Sequence, residues 1–353
     1  MATSATEDHL IRQALAEYSI GQVCSWSFHS GTAAKTWRVE TDCGTYLLRT
    51  RGPRTSADAM IRFDHSLRRH LLQHDIPTAA PVSTRSGNSH VRLDDRVLEL
   101  YRLLPGRTLS ETNNTQLAEV AASLARFHRA TETFSLAREL PPVAQYRTLG
   151  VETESARMEA PSLLRMIYDS VLAPPHSAEW ENACDMAWAW LHRLAADYGD
   201  EMFDALPHVV THGDFTLANI LFDTAGSVCG IFDFDWSRWA PRVRDIADGM
   251  YFVSGVRRSP LVPSDIWSLT ATADLTVSRC VIWLKAYAEI NPLEEAELQA
   301  IPLAFAARWL SVRVEGMAKV PEADRIRFAL ENLAEPLAWL EAHWHEVKTT
   351  VAQ

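Results

Sequence analysis

Apolar residues recur at helical spacing through much of the second part of the chain. Leu117, Val120, Ala121, Leu124 and Phe127 lie three or four residues apart, the repeat that places side chains on one face of a helix. A second run with this spacing predicts a long helix near the C-terminus, and its apolar positions are Ile326, Leu330, Leu333, Leu337, Leu340 and Trp344. These patterns predict mainly helical structure from about residue 115 onward.

The first hundred residues follow a different pattern. From about residue 20 to residue 100, short strand-like apolar runs surround a single predicted helix, whose start at residues 55–58 has a capping pattern. Residues 102–110 contain Pro105 and Gly106, a turn signal, and are predicted to link two lobes. The fold class predicted is α+β, with a small β-rich N-terminal lobe (1–101), a hinge (102–110) and a helical C-terminal lobe (111–353).

One β-hairpin is predicted to interrupt the helical part of the chain. Residues 206–211 end in a β-branched apolar run, and the apolar runs at 219–223 and 228–233 flank a turn cluster at 224–227. Asn219 would begin one strand of the hairpin and Asp233 would end its antiparallel neighbour. We therefore expect these two side chains to converge.

The candidate chemistry lies on this hairpin and the loop before it. His212, Asp214 and Asn219 form the pattern H-x-D-x-x-x-x-N, and Asp233 follows. Phosphoryl transfer requires a group that orients and deprotonates the acceptor hydroxyl, together with oxygen ligands that hold Mg²⁺ against the triphosphate. The pattern predicts Asp214 as the base, Asn219 and Asp233 as metal ligands, and His212 as a brace for the loop.

Composition and charge restrict the partners. With 353 residues, 47% of them hydrophobic, the chain can bury a substantial core. The net charge of −11 argues against a general nucleic-acid or membrane surface. The five cysteines include no Cys-x-x-Cys pair, and the first residues lack a signal-peptide pattern. No apolar run is long enough to span a membrane. Together these features predict a cytoplasmic enzyme. No pattern indicates an oligomeric state.

At these residues the sequence resembles the aminoglycoside phosphotransferase and choline kinase superfamily. The resemblance extends to residues 45–49, a strand ending in the basic Arg49, to Asp64 on the next helix, and to a hinge strand at 97–101 that runs into Leu104-Pro105-Gly106. The short element at 244–247 after Asp233 also matches. This implies a protein-kinase-like fold and a small-molecule kinase, of the homoserine-kinase-like or sugar-kinase-like branch.

The resemblance also implies a nucleotide site. Arg49, where Lys is usual, would bind the α- and β-phosphates of ATP or GTP, and Asp64, where Glu is usual, would be its ion-pair partner. Gly31 and Thr32 would belong to the nucleotide loop, which carries one glycine instead of three. The backbone from Glu99 to Tyr101 would face the purine.

The acceptor is less constrained by the sequence. Asp235, Trp236, Trp239 and Asp248 follow the metal aspartate and are candidate substrate contacts, carboxylates for donors and aromatic rings for a carbon skeleton. Asp235 could equally be a salt-bridging carboxylate or a ligand of a second metal ion. Arg308, Glu315 and Arg313 lie on a predicted late helix from which they could reach substrate, but the interpretation that we favour is a solvated face.

The predicted function is ATP- or GTP-dependent phosphorylation of a hydroxyl on an aminoglycoside, amino sugar, amino alcohol or homoserine-like acceptor. The main alternative is a pseudokinase that binds nucleotide or metabolite without turnover; the complete set of Asp214, Asn219 and Asp233 argues against it. A metal hydrolase remains a further alternative. A protein kinase is disfavoured because Arg244 and Asp245 follow Asp233 too closely for a long activation segment.

Overall fold

The computed structural model describes residues 5–31, 34–140, 168–169, 171–172, 178–262, 265–317 and 319–353. Thr32, predicted to belong to the nucleotide loop, lies outside the described residues. No helix in these ranges has both the length and the apolarity needed to cross a membrane.

A five-stranded antiparallel sheet forms the N-terminal part of the molecule, with strand order β1-β2-β3-β5-β4. Its strands are β1 (Val23–Ser30), β2 (Thr36–Thr41), β3 (Gly44–Thr50), β4 (Val91–Leu93) and β5 (Arg96–Arg102), and two helices accompany them, α1 (Ala5–Ala16) and α2 (Asp58–Gln73). Trp37 and Val39 of β2 and Tyr46 and Leu48 of β3 alternate with more exposed residues and pack in one apolar cluster with α1.

Helix α2 packs away from this cluster. Phe63, Leu67 and Leu71 belong to the larger apolar cluster, which includes the helices of the C-terminal part, so α2 fixes the sheet against the rest of the molecule. The predicted capping pattern at its start is wrong: the residue before the helix is Ala57, whose side chain cannot cap.

Helices dominate after the linker. They are α3 (Asn114–Thr131), α4 (Ala178–Asp197), α5 (Asp200–Ala205), α6 (Val243–Phe252), α7 (Val277–Ala288), α8 (Glu295–Met317), α9 (Arg325–Leu330) and α10 (Ala334–Ala352). The apolar positions predicted for α3 are all buried. The single late helix predicted from Ile326 to Trp344 is instead two helices, because the chain turns between them at Asn332, which has a positive φ of 57°.

The predicted hairpin is present. Strands β7 (Ile220–Phe222) and β8 (Val228–Ile231) are antiparallel, with Ile220 opposite Ile231. Two further pairs were not predicted: β6 (His208–Thr211) pairs with β9 (Arg238–Pro241), and β10 (Val256–Arg257) pairs with β11 (Ala273–Asp274). The β6–β9 pair closes a loop of chain around residues 212–237, so the geometry of the candidate site depends on this pair as well as on the hairpin.

Candidate active site

A buried carboxylate holds the loop that follows β6. Asp245 of α6 accepts hydrogen bonds from the backbone N–H groups of His212 (2.5 Å) and Gly213 (2.9 Å), and its side chain is fully buried. Gly213 has a positive φ of 81°, and a Cβ there would lie 2.3 Å from the Trp236 carbonyl oxygen. The loop therefore requires glycine at this position, and its path is fixed by Asp245.

His212 connects this loop to the hairpin. Its buried ring lies between the backbone N–H of Asp214, 3.3 Å from Nδ1, and the carbonyl oxygen of Phe232, 3.0 Å from Nε2. With Nδ1 accepting and Nε2–H donating, one tautomer of the neutral ring satisfies both bonds. These contacts fit the predicted role of His212 as a brace that holds the base against the second hairpin strand.

Asp214 and Asn219 are directly linked. The Asn219 side-chain N–H₂ group donates to the Asp214 carbonyl oxygen (2.9 Å) and to its Oδ2 (3.0 Å). The hairpin also holds Asn219 from the other side, since the Phe232 N–H donates to the Asn219 carbonyl oxygen at 3.1 Å. The Asp214 side chain remains 36% exposed. Its carboxylate is thus oriented by the loop and still accessible to an acceptor.

Asp233 and Asp235 lie beside this pair, beyond the end of β8. Asp233 has a φ of 66°, a left-handed conformation that is strained for aspartate and that occurs often at functional sites. Arg49 of β3 contacts both carboxylates, with Nη2 3.5 Å from Asp233 Oδ1 and 2.5 Å from Asp235 Oδ2. Enclosure by the protein and the charges of Asp235 and Asp214 raise the pKa of Asp233, although Arg49 opposes this shift.

This arrangement fits a divalent cation. The donors are carboxylate and amide oxygens, the ligands that Mg²⁺ and Ca²⁺ prefer, and they come from Asp233, Asp235 and Asn219. Asp235 Oδ1 is buried and has no hydrogen-bond partner among the described residues, as expected of an oxygen placed for an ion. Burial and the charges of Asp235 and Asp214 both disfavour the ionised form of Asp233, and a cation bound there would offset both effects.

The expected ion pair between Arg49 and Asp64 is not formed. Asp64 instead contacts Arg51, two residues further along the chain, and Arg68 on its own helix, with Arg68 Nε 2.6 Å from Asp64 Oδ1. Glu99 shares this buried network: it contacts Arg51, His65 Nε2 at 2.7 Å and the Tyr101 hydroxyl at 2.9 Å. The guanidinium of Arg51 therefore lies among the three groups, Asp64, His65 and Glu99, that could otherwise bind a metal.

Burial favours the neutral acid for Glu99, but its hydrogen bond with His65 and the charge of Arg51 hold its pKa down at about 2. The pKa of Asp64 is likewise lowered by Arg68 and Arg51, against the effect of burial. Both carboxylates thus stay ionised inside the lobe. The network replaces the expected single pair, and it leaves Arg49 available at the cleft.

A cleft of about 540 Å³ opens between the sheet and the C-terminal part of the molecule. Its lining includes Arg49, Arg68, Tyr101 and Asp233, with residues 102–108 of the linker along one side. The Glu99 side chain is fully buried, and the backbone of 99–101 is paired with β3 within the sheet. Tyr101 and Arg102 at the end of β5, together with the linker that follows, form the wall available to a purine.

Gly31 follows the last residue of β1, and the two residues before it, His29 and Ser30, line this cleft. It has a φ of 101°, and a Cβ at this position would lie 1.8 Å from the Ala34 carbonyl oxygen. Gly31, the one glycine of the predicted nucleotide loop, is therefore required by a tight turn.

The four residues predicted to contact the acceptor differ in their surroundings. Trp239 lies on β9, where its ring stacks on His208 and under the Arg138 guanidinium. Trp236 is partly buried and packs its backbone against Gly213. Asp235 contacts Arg49 and Asp248 contacts Arg308, and each keeps one buried oxygen, Asp235 Oδ1 and Asp248 Oδ2, without a hydrogen-bond partner among the described residues.

A residue for which the sequence favoured a solvated face over a substrate contact reaches the base. Arg308 of α8 lies with Nη2 3.7 Å from Asp214 Oδ1 and donates from Nε to Asp248 Oδ1 at 3.1 Å. It was expected on a solvated face, but its side chain is only 13% exposed. Helix α8 is buried on most of its surface, so its sequence has no clear polar face from which this position could be identified.

Comparison with known proteins places this geometry in a family. A model of the phosphotransferase enzyme family matches residues 27–271. The homoserine kinase of Parvibaculum lavamentivorans (strain DS-1) is 25% identical over 318 residues, which cover 89% of this chain and 87% of that protein.

Solved structures show the same fold. An aminoglycoside phosphotransferase from Alicyclobacillus acidocaldarius has a TM-score of 0.66 and 16% identity, with 97% of this chain and 96% of the other covered. The amicoumacin kinase hAmiN, solved with AMP-PNP, Ca²⁺ and Ami, has a TM-score of 0.64 and 18% identity, with 97% of both chains covered.

These findings confirm the α+β, bilobal, protein-kinase-like phosphotransferase fold. The class of protein is a small-molecule kinase, which transfers phosphate to a hydroxyl group. Since the family model covers more than half of its residues, the chain belongs to the phosphotransferase enzyme family.

Proposed function

We propose that this enzyme transfers the γ-phosphate of ATP, or of GTP, to a hydroxyl of a small polar acceptor, with Mg²⁺ at the site of Asn219 and Asp233. One observation carries the proposal: the loop and the hairpin bring Asp214, Asn219 and Asp233 together where the cleft ends. A base, a carboxamide and a carboxylate in this order are the groups that phosphoryl transfer requires. The relatives named homoserine kinases favour a homoserine-like acceptor among the classes predicted from the sequence.

The position of each residue indicates its proposed part in the reaction. Asp214 would accept the proton of the attacking hydroxyl, and its exposed carboxylate is oriented for this by Asn219 and by the His212 brace. Arg49 faces the cleft beside Asp233 and would bind triphosphate oxygens, for which a planar guanidinium is well suited. A bound Mg²⁺ would supply neutralisation of the phosphate charge.

The buried network of Arg51, Asp64 and Glu99 would act on the nucleotide indirectly, through the residues that line the cleft. It lies under Arg68 and Tyr101, which line the cleft, and Arg68 stacks on Tyr101 with its guanidinium carbon 4.9 Å from the ring centre. We assign Asp64 and Glu99 to the support of this wall and not to direct contact with nucleotide. Gly31 and the neighbouring Thr32 would close over the phosphates, and the chain from Tyr101 to Thr108 would contact the purine.

The experiment is a coupled assay of nucleotide consumption with ATP and GTP against L-homoserine, 3-aminopropan-1-ol, choline, a hexosamine and an aminoglycoside. Phosphorus NMR then identifies the phosphorylated oxygen of any product. Turnover that requires both an acceptor and Mg²⁺ supports the proposal. Nucleotide binding with no product from any acceptor class would favour the pseudokinase, and phosphate release without acceptor would favour a hydrolase.

A further inference from the structure

A second arginine lines the cleft beside Arg49, and its position is fixed by packing. The side chain of Arg68 on α2 is only 4% exposed. Its guanidinium carbon lies 4.9 Å from the ring centre of Tyr101 and 4.8 Å from that of Phe234. Contacts of this kind with two aromatic rings leave the planar group little freedom to move.

Two of the three guanidinium nitrogens of Arg68 have partners. Nε donates to Asp64 Oδ1 at 2.6 Å, and Nη1 donates to the Ala79 carbonyl oxygen at 3.3 Å. Nη2 makes no hydrogen bond within the described part of the chain, and it is not one of the fully buried unpartnered atoms there. Because Arg68 lines the cleft, Nη2 is the nitrogen that can meet a ligand inside it.

Asp64 holds two arginines, and they face different surroundings. Its Oδ2 contacts Arg51, whose other contacts are Glu99 and the Thr55 carbonyl oxygen, and Arg51 is not among the described residues that line the cleft. Its Oδ1 contacts Arg68, which does line the cleft. Of the two arginines that Asp64 orients, Arg68 is therefore the one that can reach a nucleotide.

We propose that Arg68, oriented by Asp64, binds the phosphates of the donor nucleotide. The inference rests on the proposed function, because it takes the cleft to be the nucleotide site. Arg68 has the ion-pair partner that the resemblance implied for Arg49, whereas Arg49 meets Asp233 and Asp235. An N–H of a guanidinium and a phosphate oxygen form a charge-assisted hydrogen bond, about twice as strong as a neutral one.

The charge of the cleft suits a polyphosphate. Asp233 is the one carboxylate in its described lining, against the five arginines Arg38, Arg49, Arg68, Arg102 and Arg107. Burial and the nearby charge of Arg49 disfavour the charged form of Arg68, but Asp64 is the main cause that raises its pKa overall. Arg68 thus remains a cation close to Arg49, an arrangement that an anion between them would stabilise.

Comparison of a nucleotide with its nucleoside isolates the phosphate contact. ADP and adenosine, with GDP and guanosine in parallel, are titrated calorimetrically into the enzyme with Mg²⁺ and again with EDTA. The quantity measured is the ratio of nucleotide affinity to nucleoside affinity. Arg68→Met should lower this ratio about 10- to 100-fold under both conditions, the range for a hydrogen bond to a charged group, and should change nucleoside affinity less than about threefold.

Two further variants test the reason for the loss. Arg68→Lys, which keeps the charge without the planar fork, should be intermediate, and it continues the test if Arg68→Met does not fold. Arg69→Met is the matched control: this neighbouring arginine of α2 is exposed, donates to the His65 carbonyl oxygen at 3.0 Å and should leave the ratio unchanged. Thermal unfolding of each variant reports whether it is folded.

The outcomes separate this contact from the reaction. A purely structural role of Arg68 would weaken nucleotide and nucleoside alike, so an unchanged ratio would refute the contact, as would a loss seen only with Mg²⁺. An unaltered enzyme that binds ADP and GDP no more tightly than their nucleosides would also refute it. Lack of turnover with every acceptor, despite a ratio that depends on Arg68, would refute the proposed function and retain the contact.

Discussion

Replacing Asp245 with Asn tests how firmly the catalytic loop is anchored. The carboxylate is fully buried and accepts hydrogen bonds from His212 N–H (2.5 Å), Gly213 N–H (2.9 Å) and His128 Nε2 (3.1 Å). Burial by itself would raise the pKa of Asp245, but the hydrogen bond from His128 and the nearby His212 and Gly213 hold it below its usual value. The side chain is therefore an acceptor for all three donors in the native enzyme.

Asparagine has nearly the same shape but turns one acceptor oxygen into a donor. At least one backbone N–H of the loop then faces another N–H in a buried site. Loss of a hydrogen bond to a charged group and the unsatisfied donor together cost about 3 to 5 kcal/mol of unfolding free energy. For a chain of 353 residues, at roughly 2.1 cal/mol/K per residue, this lowers Tm by about 4 to 7 °C.

The loss of activity in Asp245→Asn should be larger than the loss of unfolding free energy alone would cause. A displacement of the loop moves Asp214 relative to the acceptor, and a misplacement of roughly 1 Å can reduce a rate about 100-fold. We expect kcat to fall by about this factor while nucleotide affinity is nearly unchanged, because the Asp245 partners His128, His212 and Gly213 are not among the described residues that line the cleft. Urea unfolding, calorimetric nucleotide binding and steady-state rates measure the three quantities.

Asp223→Asn is the matched control. Asp223 also accepts two backbone N–H bonds, from Ala225 and Ser227 at 2.9 Å each, but it lies in the solvent-accessible turn of the hairpin. Asparagine is well tolerated in such turns, so we expect a change of less than about 1 kcal/mol and a normal kcat. If Asp245→Asn behaved like this control in both stability and rate, the anchoring argument would be wrong.

Three further changes have distinct expected outcomes. Asp214→Asn should lower kcat by roughly 10²- to 10⁴-fold and leave nucleotide affinity nearly normal, because a base acts on the acceptor. Steady-state rates and calorimetric nucleotide binding measure the two quantities. Near-normal turnover would exclude Asp214 as the base. Asp233→Ala should abolish Mg²⁺-dependent nucleotide binding, whereas Asp235→Ala should retain part of it; equal loss by calorimetry would contradict this ranking. Burial raises the pKa of Asp248 to about 7. Below that pH the folded protein keeps a proton on Asp248 that the unfolded chain has already lost. The free energy of unfolding therefore declines as the pH rises toward 7. The stability of Asp248→Asn relative to the unaltered enzyme should therefore increase by about 2 to 3 kcal/mol between pH 5 and pH 8 in urea unfolding, and a constant difference would show that Asp248 is ionised throughout.

The parts of the site that were predictable are local in the sequence. Asp214 and Asn219 are five residues apart, and their hydrogen bond forms within one loop. The hairpin that adds Asp233 is set by two short apolar runs and a turn, so its register follows from its own residues. Because local patterns of this kind determine both the chemistry and the geometry, the loop and the hairpin follow from the sequence alone.

The pairing of the basic residues was not local, and there the prediction failed. Arg49 and Arg51 are two residues apart near the end of β3, and nothing in that spacing shows which of them meets helix α2. The choice depends on where Asp64 lies relative to the sheet, which is set by the packing of α2 against α3. Arg308 is a longer-range case, because its contact with Asp214 joins residues far apart in the chain on a helix without a distinct polar face.

The position of Arg49 also reduces the repulsion within the acidic site. Asp214, Asp233 and Asp235 would repel one another, and burial together with the charges of Asp235 and Asp214 raises the pKa of Asp233. The guanidinium of Arg49 contacts two of the three carboxylates and neutralises part of their charge. A divalent cation that binds Asp233 and Asp235 must compete with Arg49 for the same oxygens, and the competition ends if Arg49 turns toward triphosphate oxygens. Metal and nucleotide are therefore expected to bind cooperatively, because each provides the charge that releases Arg49 from its present partners.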